Sequence, residues 1–547
     1  MNKKILVILF AIIFIGGFLR FFKLNEYPIQ LNHDEISQIY DTVSIVQTGK
    51  DIYGNFLPLA FPSTGDYKVG HYIYITILPY LIFGMKEITI RLPSAFFGTL
   101  EILAVFLFVR ELTKNLKLAL ISASLVAVMP SEIFYSRKSF ESIIAASLTF
   151  FGLFLLSKFM GDKIRKINLI LTSLILVLPM YIYTSYTMVI PLIVFAYYFM
   201  FRKNIQPQIK RFKKMIILWG ILILPLIFII STNAGVRFRA SSVFILQDAS
   251  LGKQLNLFDI SNPPLQSLYK FKFIAEYSFI KYLNQFDPIL LFAKGLDLTN
   301  QGIVGLGPLL ITLLPFFLLG VFYIIRSDPF LGKGRFILIA MIIAMIPSGL
   351  TFEDVSPHRS VLGFTFISII SAFGIFKFVQ FMQNSKIKSI KMGVMGSLGL
   401  IFILNYLYAV HIYTVNYPYE KSQQIHYPYK DVALYAWSNY SKYDRIIVDP
   451  KYGQTVPVRA VAVHYYLAYY GNYSPSKFQN ELKTTNSGMS FDKFSIREID
   501  WRVDYNLKNT LIIASPWSLP ESVIKEKEIL KTFTFYDKNI AFYAIEL

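Results

Sequence analysis

The stretch KKILVILFAIIFIGGFLRFFKLNEYPIQLNHDE, residues 3–35, decides the fold class. Ile5 to Phe22 is apolar apart from Arg20, and at 1.5 Å per helical residue it is long enough to cross the hydrocarbon core of a bilayer. Lys3 and Lys4 precede it. Arg20, close to the far end, is expected to snorkel to the interface. No A-x-A-like site follows, which predicts a retained signal anchor rather than a cleaved signal peptide. Just beyond the span, Asn32-His33-Asp34-Glu35 sets two adjacent carboxylates among apolar positions.

The whole chain extends that theme. Of 547 residues, 54% are hydrophobic and only 16% charged, a balance that excludes a string of soluble domains and predicts a polytopic α-helical membrane protein. The net charge of +20 lies in short clusters between apolar runs, so it marks topology rather than a nucleic-acid surface. With no cysteine, disulfides, thiolate metal sites and cysteine nucleophiles are excluded.

Further apolar spans are expected near 92–110, 118–135, 139–157, 168–183, 185–201, 215–231, 302–325, 336–350, 360–380 and 392–412, about eleven transmembrane helices in all. The run Tyr72–Met85, short and interrupted by Pro79, suits an interfacial or re-entrant helix. If it does not cross, the loops assigned to the cytoplasm carry 22 Lys/Arg. The short outer loops then carry three: Arg137, Lys138 and Arg359. The positive-inside rule therefore predicts a cytoplasmic N-terminus in the cell membrane. Residues 1–412 form the expected membrane domain, with extracytoplasmic loops at 23–91 and 232–301, and 413–547 form an extracytoplasmic soluble α/β domain. In that tail DVALYAWSNYSKYDRIIVD predicts a helix leading into a buried strand, NTLIIAS another strand, and FTFYDKNIAFYAIEL a hairpin around Asp537–Asn539.

Charges outside the cytoplasmic clusters are the candidates for chemistry. Asp34 and Glu35 can supply a general base and a partner that orients the site or binds a divalent cation. Equally, they can serve a helix start as N-cap and dipole partner. Thr64-Gly65-Asp66-Tyr67-Lys68-Val69-Gly70-His71 offers Lys68 and His71 to a phosphate at the membrane surface, or is a simple loop with a snorkelling lysine. Arg137 and Lys138, on the side where cations are rare, are placed to hold the phosphate of a lipid carrier or to meet headgroups. Phe352 to Ser360 gathers Glu353, Asp354, His358 and Arg359; His358 and Arg359 are candidates for the lipid phosphate, or His358 is a structural hydrogen-bonder, and the carboxylates are acceptor or metal candidates, or partners of Arg359. Arg237 and Arg239 form a further outer pair. Glu101, within a span, is expected to face the protein interior. There is no Walker loop, dinucleotide fingerprint, G-x-S-x-G elbow or H-E-x-x-H. A lipid-carried phosphate substrate is the simpler source for an enzyme on the outer face.

In order and spacing, Asp34-Glu35, the Tyr67-Lys68 to Tyr74 segment, Glu87 to Ala95, Tyr135-Ser136-Arg137 and Pro357-His358-Arg359-Ser360 resemble the GT-C fold glycosyltransferases that use lipid-linked sugars. The likeness is to relatives of the protein O-mannosyltransferases and of the lipid A aminoarabinose transferase, over roughly residues 1–380. It implies sugar transfer from a polyprenyl-phosphate donor to a protein, lipid or glycan acceptor on the extracytoplasmic face. By the same analogy Asp34 is the catalytic carboxylate, Lys68, Arg137 and Arg359 hold the lipid phosphate, and a single displacement inverts the anomeric carbon. Two departures stand out: Lys68-Val69-Gly70 where relatives often have Lys-Pro-Pro, and Ser37-Gln38 where they often have a basic residue. Some such enzymes use a divalent metal, for which Glu35 is a candidate ligand. Two other classes fit less well. One is an oligosaccharyltransferase or glycan ligase passing on a whole lipid-linked glycan. The other is a lipid or sugar transporter, against which the concentration of unusual charges at one membrane face argues.

Overall fold

The computed structural model describes residues 3–63, 66–160, 166–255, 263–295, 301–327, 332–353, 355–384, 388–485 and 488–547. They form two compact units: one contains residues 1–22 and 91–413, the other 23–90 and 414–547.

The first unit is helical. Among the described residues of the chain, Lys3–Phe21, Glu87–Thr113, Tyr186–Thr232, Val361–Gln383 and Lys391–Lys421 are helical stretches long and apolar enough to cross a membrane. Leu116–Val128 and Pro130–Ser136, bent by 56°, make a sixth if taken together. The bend falls where Pro130 removes an amide donor and clashes with the preceding turn. Other expected spans are shorter helices, including Glu141–Ser157, Lys166–Ile182 and Lys333–Gly349, each 17 residues long. The expected span 302–325 becomes helical only from Ile311, because Gly305, at φ +76°, and Pro308 interrupt the run before it. Leu314–Arg326 packs backbone to backbone on Val361–Gln383. A Cβ built on Gly374 would lie 1.8 Å from the Phe316 carbonyl oxygen, and one on Gly320 2.1 Å from that of Ile370.

Arg20 corrects a sequence expectation. Rather than snorkelling, it is fully buried. Its Nε donates to Ser136 Oγ (3.1 Å), Nη1 to the carbonyls of Gly16 and Ala127 (3.0 Å each), and Nη2 to that of Val126 (3.0 Å). Helix Leu116–Val128 ends there, so its last carbonyls need donors, and a guanidinium fork supplies them.

In the second unit residues 23–90, within the expected loop 23–91, fold with residues 414–547. Helix His33–Thr48 carries Tyr40, whose ring meets Tyr465 and Phe478 edge-on at 6.1 and 5.6 Å. β1 (Ala60–Ser63) and β2 (Asp66–Val69) pair antiparallel. Helix His71–Phe83 includes Pro79 and presents Leu78, Leu81 and Ile82 at its surface. The tail supplies β3 (Arg445–Val448), the short pair β4 (Lys451–Tyr452) and β5 (Val458–Arg459), and β6 (Lys483–Thr485), β7 (Gly488–Phe491) and β8 (Phe494–Arg497). β9 (Thr510–Ala514), β10 (Ile529–Thr534) and β11 (Ile540–Glu546) complete it. Seven strands form one sheet, in the order β10-β11-β9-β3-β8-β7-β6, with β3 parallel to both β8 and β9 and the other pairs antiparallel. The expected helix is Pro428–Ser438, and β3, β9 and the β10-β11 hairpin fall where the alternation placed them. Ile447, Ile512, Ala514 and Ile545 are buried on one side of the sheet with Leu519 and Val523.

Candidate functional site

Helix His33–Thr48 begins with a capping box. Asn32 Oδ1 accepts from the Asp34 and Glu35 amides (2.8 and 3.0 Å), and Glu35 Oε2 accepts from the Asn32 amide at 3.1 Å. The two carboxylates are thereby distinguished. Glu35 is buried and engaged in holding the helix start. Asp34 has a side chain 49% exposed, with Oδ2 3.5 Å from His33 Nε2.

Lys68 reaches this helix because of strand register. It lies directly opposite Phe61 in the β1-β2 pair, and opposed residues share a face of a ribbon. Phe61 is buried with Ile45 and Ile73, so Lys68 is turned to the same side. The closeness of that packing explains Gly70: a Cβ there would lie 2.4 Å from the Phe61 ring. The Lys68 ammonium donates to Ser37 Oγ, and Ser37 Oγ bonds the carbonyls of His33 (2.8 Å) and Asp34 (2.9 Å). A cation therefore sits one helical turn from Asp34, beside the position where the chain itself carries serine. His71 starts the helix after β2, and burial pushes its imidazole down to about 4. It is neutral near pH 7 and offers hydrogen bonds rather than charge. Thr64 and Gly65 lie outside the described residues.

Three further groups lie near Asp34 or Lys68, and the sequence reading does not single them out. Asp41, seven residues on and so on the same helix face, is buried and accepts from Tyr465 Oη (3.1 and 3.3 Å). Burial pushes its carboxyl up to about 7, against the lowering pull of Lys68. The second group is His426, whose ring lies 5.2 Å from that of His33. It is buried at φ +60°, and burial, together with His33, holds it well below the usual histidine range. The third, His464, is lowered to about 3 by burial and by Lys68. The i, i+7 spacing was the only sequence signal for any of them.

The other candidates lie in the helical unit. Arg137 is buried at the end of helix Pro130–Ser136 and donates through Nη1 to the carbonyls of Leu19 (2.8 Å) and Arg20 (3.2 Å). Lys138 is buried with its ammonium 4.4 Å from the centre of the Phe134 ring. The Pro357–Arg359 turn is brought beside this segment, the His358 and Phe140 rings stacking at 6.1 Å. Arg359 Nη1 donates to Glu353 Oε2 (2.7 Å) and Ser356 Oγ (2.5 Å), so Glu353 is the partner of Arg359. Burial, Arg359 and Arg239 hold His358 well below the usual range, so this imidazole is also neutral. Asp354 lies outside the described residues. Asp248 and the Phe352 carbonyl both accept from buried Lys281 (2.7 and 2.5 Å), which ties Asp248 and Lys281 to this turn. Glu101 faces inward as expected: Thr365 Oγ1 lies 3.0 Å from its Oε1 and 2.8 Å from Glu132 Oε1.

Among the described residues, no three His, Asp or Glu side chains converge as ligands for a metal ion. Of the carboxylates considered for that role, Glu35 and Glu353 are engaged as cap and ion-pair partner, and Asp354 lies outside the described residues.

No protein-family model and no curated protein matches the sequence. Solved structures do. ArnT from Cupriavidus metallidurans bound to undecaprenyl phosphate superposes with a TM-score of 0.53 at 9% identity, over 99% of this chain and 97% of that one. The archaeal oligosaccharyltransferase AglB from Archaeoglobus fulgidus, in complex with an inhibitory peptide and a dolichol-phosphate, superposes with a TM-score of 0.52 at 13% identity. That match covers 86% of this chain and 64% of AglB. Both neighbours are GT-C glycosyltransferases, and their fold is the fold of this chain.

Proposed function

We propose that this chain, a membrane protein with the GT-C fold, is a glycosyltransferase that moves a sugar from a polyprenyl-phosphate donor to an acceptor on the extracytoplasmic side, crossing the membrane about eleven times. The observation that carries the reading is local to one unit. A half-exposed aspartate at a rigidly capped helix start has a lysine ammonium seated one turn away on Ser37. Base and cation in that relation suit a displacement whose leaving group is a phosphate.

Asp34 accepts the proton of the acceptor's nucleophilic group as that group attacks the anomeric carbon. The bond from this carbon to the phosphate oxygen breaks as the new glycosidic bond forms. The electron pair leaves on the polyprenyl phosphate, and Lys68 stabilises the charge that appears there. One displacement with one base inverts the anomeric configuration. Glu35 holds the helix start and takes no proton. Arg137 and Arg359 are further candidates for the lipid phosphate; Arg137 already spends donors on helix carbonyls and Arg359 on Glu353. No step is routed through a metal. ArnT, matched over 97% of its length, favours transfer of a single sugar over transfer of a whole glycan as by AglB, matched over 64% of its length.

The test is transfer of radiolabelled sugar from membrane-extracted polyprenyl-phosphate donors by the purified protein in lipid. Asp34→Asn should lower turnover by roughly 10²–10⁴-fold while donor binding persists, and Lys68→Ala should weaken donor binding. Undiminished transfer by Asp34→Asn would remove the base assignment. Transfer only from oligosaccharide donors would shift the activity to glycan ligation.

A further inference from the structure

Asp41 takes no part in the chemistry above, yet its surroundings are built with care. It occupies the helix face of Asp34 and Ser37, is 1% exposed, and is bonded by the Tyr465 hydroxyl. The Lys68 ammonium lies 5.7 Å from the centre of the same Tyr465 ring while it donates to Ser37. One tyrosine from the tail thus touches both charges, with its face to the cation and its hydroxyl to the carboxylate. Cation–ring contact and hydrogen bond together fix the spacing between Lys68 and Asp41.

We propose that Asp41 is the resident counter-ion of Lys68, displaced from that role when the phosphate of a lipid-linked donor arrives, and that Tyr465 is the positioning residue that holds the pair in register. The proposal rests on the reading that Lys68 receives the donor phosphate. It gives the C-terminal segment a part in donor binding.

The electrostatics have a definite sign. When Asp41 is charged, it satisfies Lys68 and repels an arriving phosphate. When it is protonated, that repulsion is removed and Asp41 no longer competes with the phosphate for Lys68. Asp41, raised to about 7, changes state near neutrality, and a bound phosphate on Lys68 raises it further by withdrawing its partner. Donor binding therefore takes up a proton and weakens as pH rises through 7. The groups facing Asp41 are Asp51 and Tyr53 from the loop after its helix, Lys68 from β2, and Tyr465 from helix Val463–Tyr470, with His464 of that helix facing Lys68. His464, at about 3, and His71, at about 4, do not titrate in the same range.

The experiment measures binding of a polyprenyl methyl phosphodiester to the full-length protein in lipid nanodiscs between pH 6 and pH 8.5. The diester loses its one phosphate proton far below this range, so the ligand does not titrate. Wild type should bind about tenfold more weakly at the upper end than at the lower. Asp41→Asn, which keeps the side-chain size and an acceptor for Tyr465, should bind at pH 8.5 as wild type does at pH 6, with no slope. Tyr465→Phe keeps the ring and drops the hydroxyl, and should weaken binding at pH 6 several-fold. Calorimetry of wild type at pH 7.5, in two buffers of different ionisation heat, should show proton uptake without recourse to any variant. Binding that is flat with pH, a slope that persists in Asp41→Asn, or zero proton uptake would overturn the counter-ion role while leaving Lys68 as a phosphate ligand. No binding of the diester by wild type at any pH, or undiminished binding by Lys68→Met, would overturn the donor reading itself.

Discussion

Replacing Arg20 by methionine separates two physical pictures of a basic residue near the end of a membrane helix. A snorkelling arginine makes few fixed contacts, and its loss costs well under about 1 kcal/mol. In the structure, Arg20 instead donates to Ser136 Oγ and to the carbonyls of Gly16, Ala127 and Val126, with Glu132 and Glu101 within electrostatic reach. Methionine fills a similar length but leaves the Val126 and Ala127 carbonyls without this donor and the buried carboxyls without this cation. Removing one partner of a buried charge cluster costs about 3–5 kcal/mol. At 1.36 kcal/mol per factor of ten, the folded-to-unfolded ratio should fall by roughly 10²- to 10⁴-fold. Equilibrium unfolding in mixed micelles, titrated with the mole fraction of dodecyl sulfate, reads this directly. Adding Glu132→Met to Arg20→Met should recover part of the loss, since it removes one of the stranded carboxyls. A loss below about 1 kcal/mol for Arg20→Met, or a double variant no better than the single one, would refute the buried-cluster account.

Three further outcomes are expected. Asn32→Ala removes the acceptor for two helix-start amides and should cost about 0.5–2 kcal/mol, while Glu35→Gln can still accept from Asn32 and should retain most activity in the transfer assay. A transfer rate that collapses in Glu35→Gln at unchanged stability would make Glu35 a participant in the chemistry. Gly70→Ala forces a Cβ to 2.4 Å from the Phe61 ring, so it should destabilise by about 1–3 kcal/mol in thermal unfolding and weaken donor binding through Lys68. The pH profile of stability carries two opposing contributions. Asp41, raised to about 7, favours the folded state fully below about pH 4, an advantage lost as pH rises through 7; His464, lowered to about 3, costs stability as pH falls below about 6.5. Asp41→Asn deletes only the first, so its thermal midpoint relative to wild type should climb between pH 4 and pH 7, and a constant difference would contradict the burial of this carboxyl.

What could be read from the sequence follows the range of the interactions involved. β3, β9, the β10-β11 hairpin and helix Pro428–Ser438 announce themselves through local alternation and periodicity, and helix His71–Phe83 through a short apolar run. Asp34, Lys68 and Arg137 stood out as charges where a membrane protein rarely places them. The local pattern around Arg20 shows only a lone cation at a helix end, because three of its four acceptors lie more than 100 residues away. Asp41 passed unnoticed for the same reason: its meaning depends on Lys68 across a hairpin and on Tyr465, 424 residues later. The break in residues 302–310 was hidden by hydropathy averaging, which counts glycine and proline as tolerable although they end the hydrogen-bonded ladder.

The pairing of residues 23–90 with 414–547 also sets a timetable for biosynthesis. Roughly 320 residues separate the two halves of that unit in the chain. At about 5–20 residues per second, the early half waits on the order of 15–65 s for its partner to leave the ribosome. During that wait Tyr40, whose ring rests on Tyr465 and Phe478 in the finished protein, has neither neighbour. The nascent protein therefore passes through a stage in which the helix bearing Asp34 has been made but is incomplete, and in which a chaperone would find its apolar face uncovered.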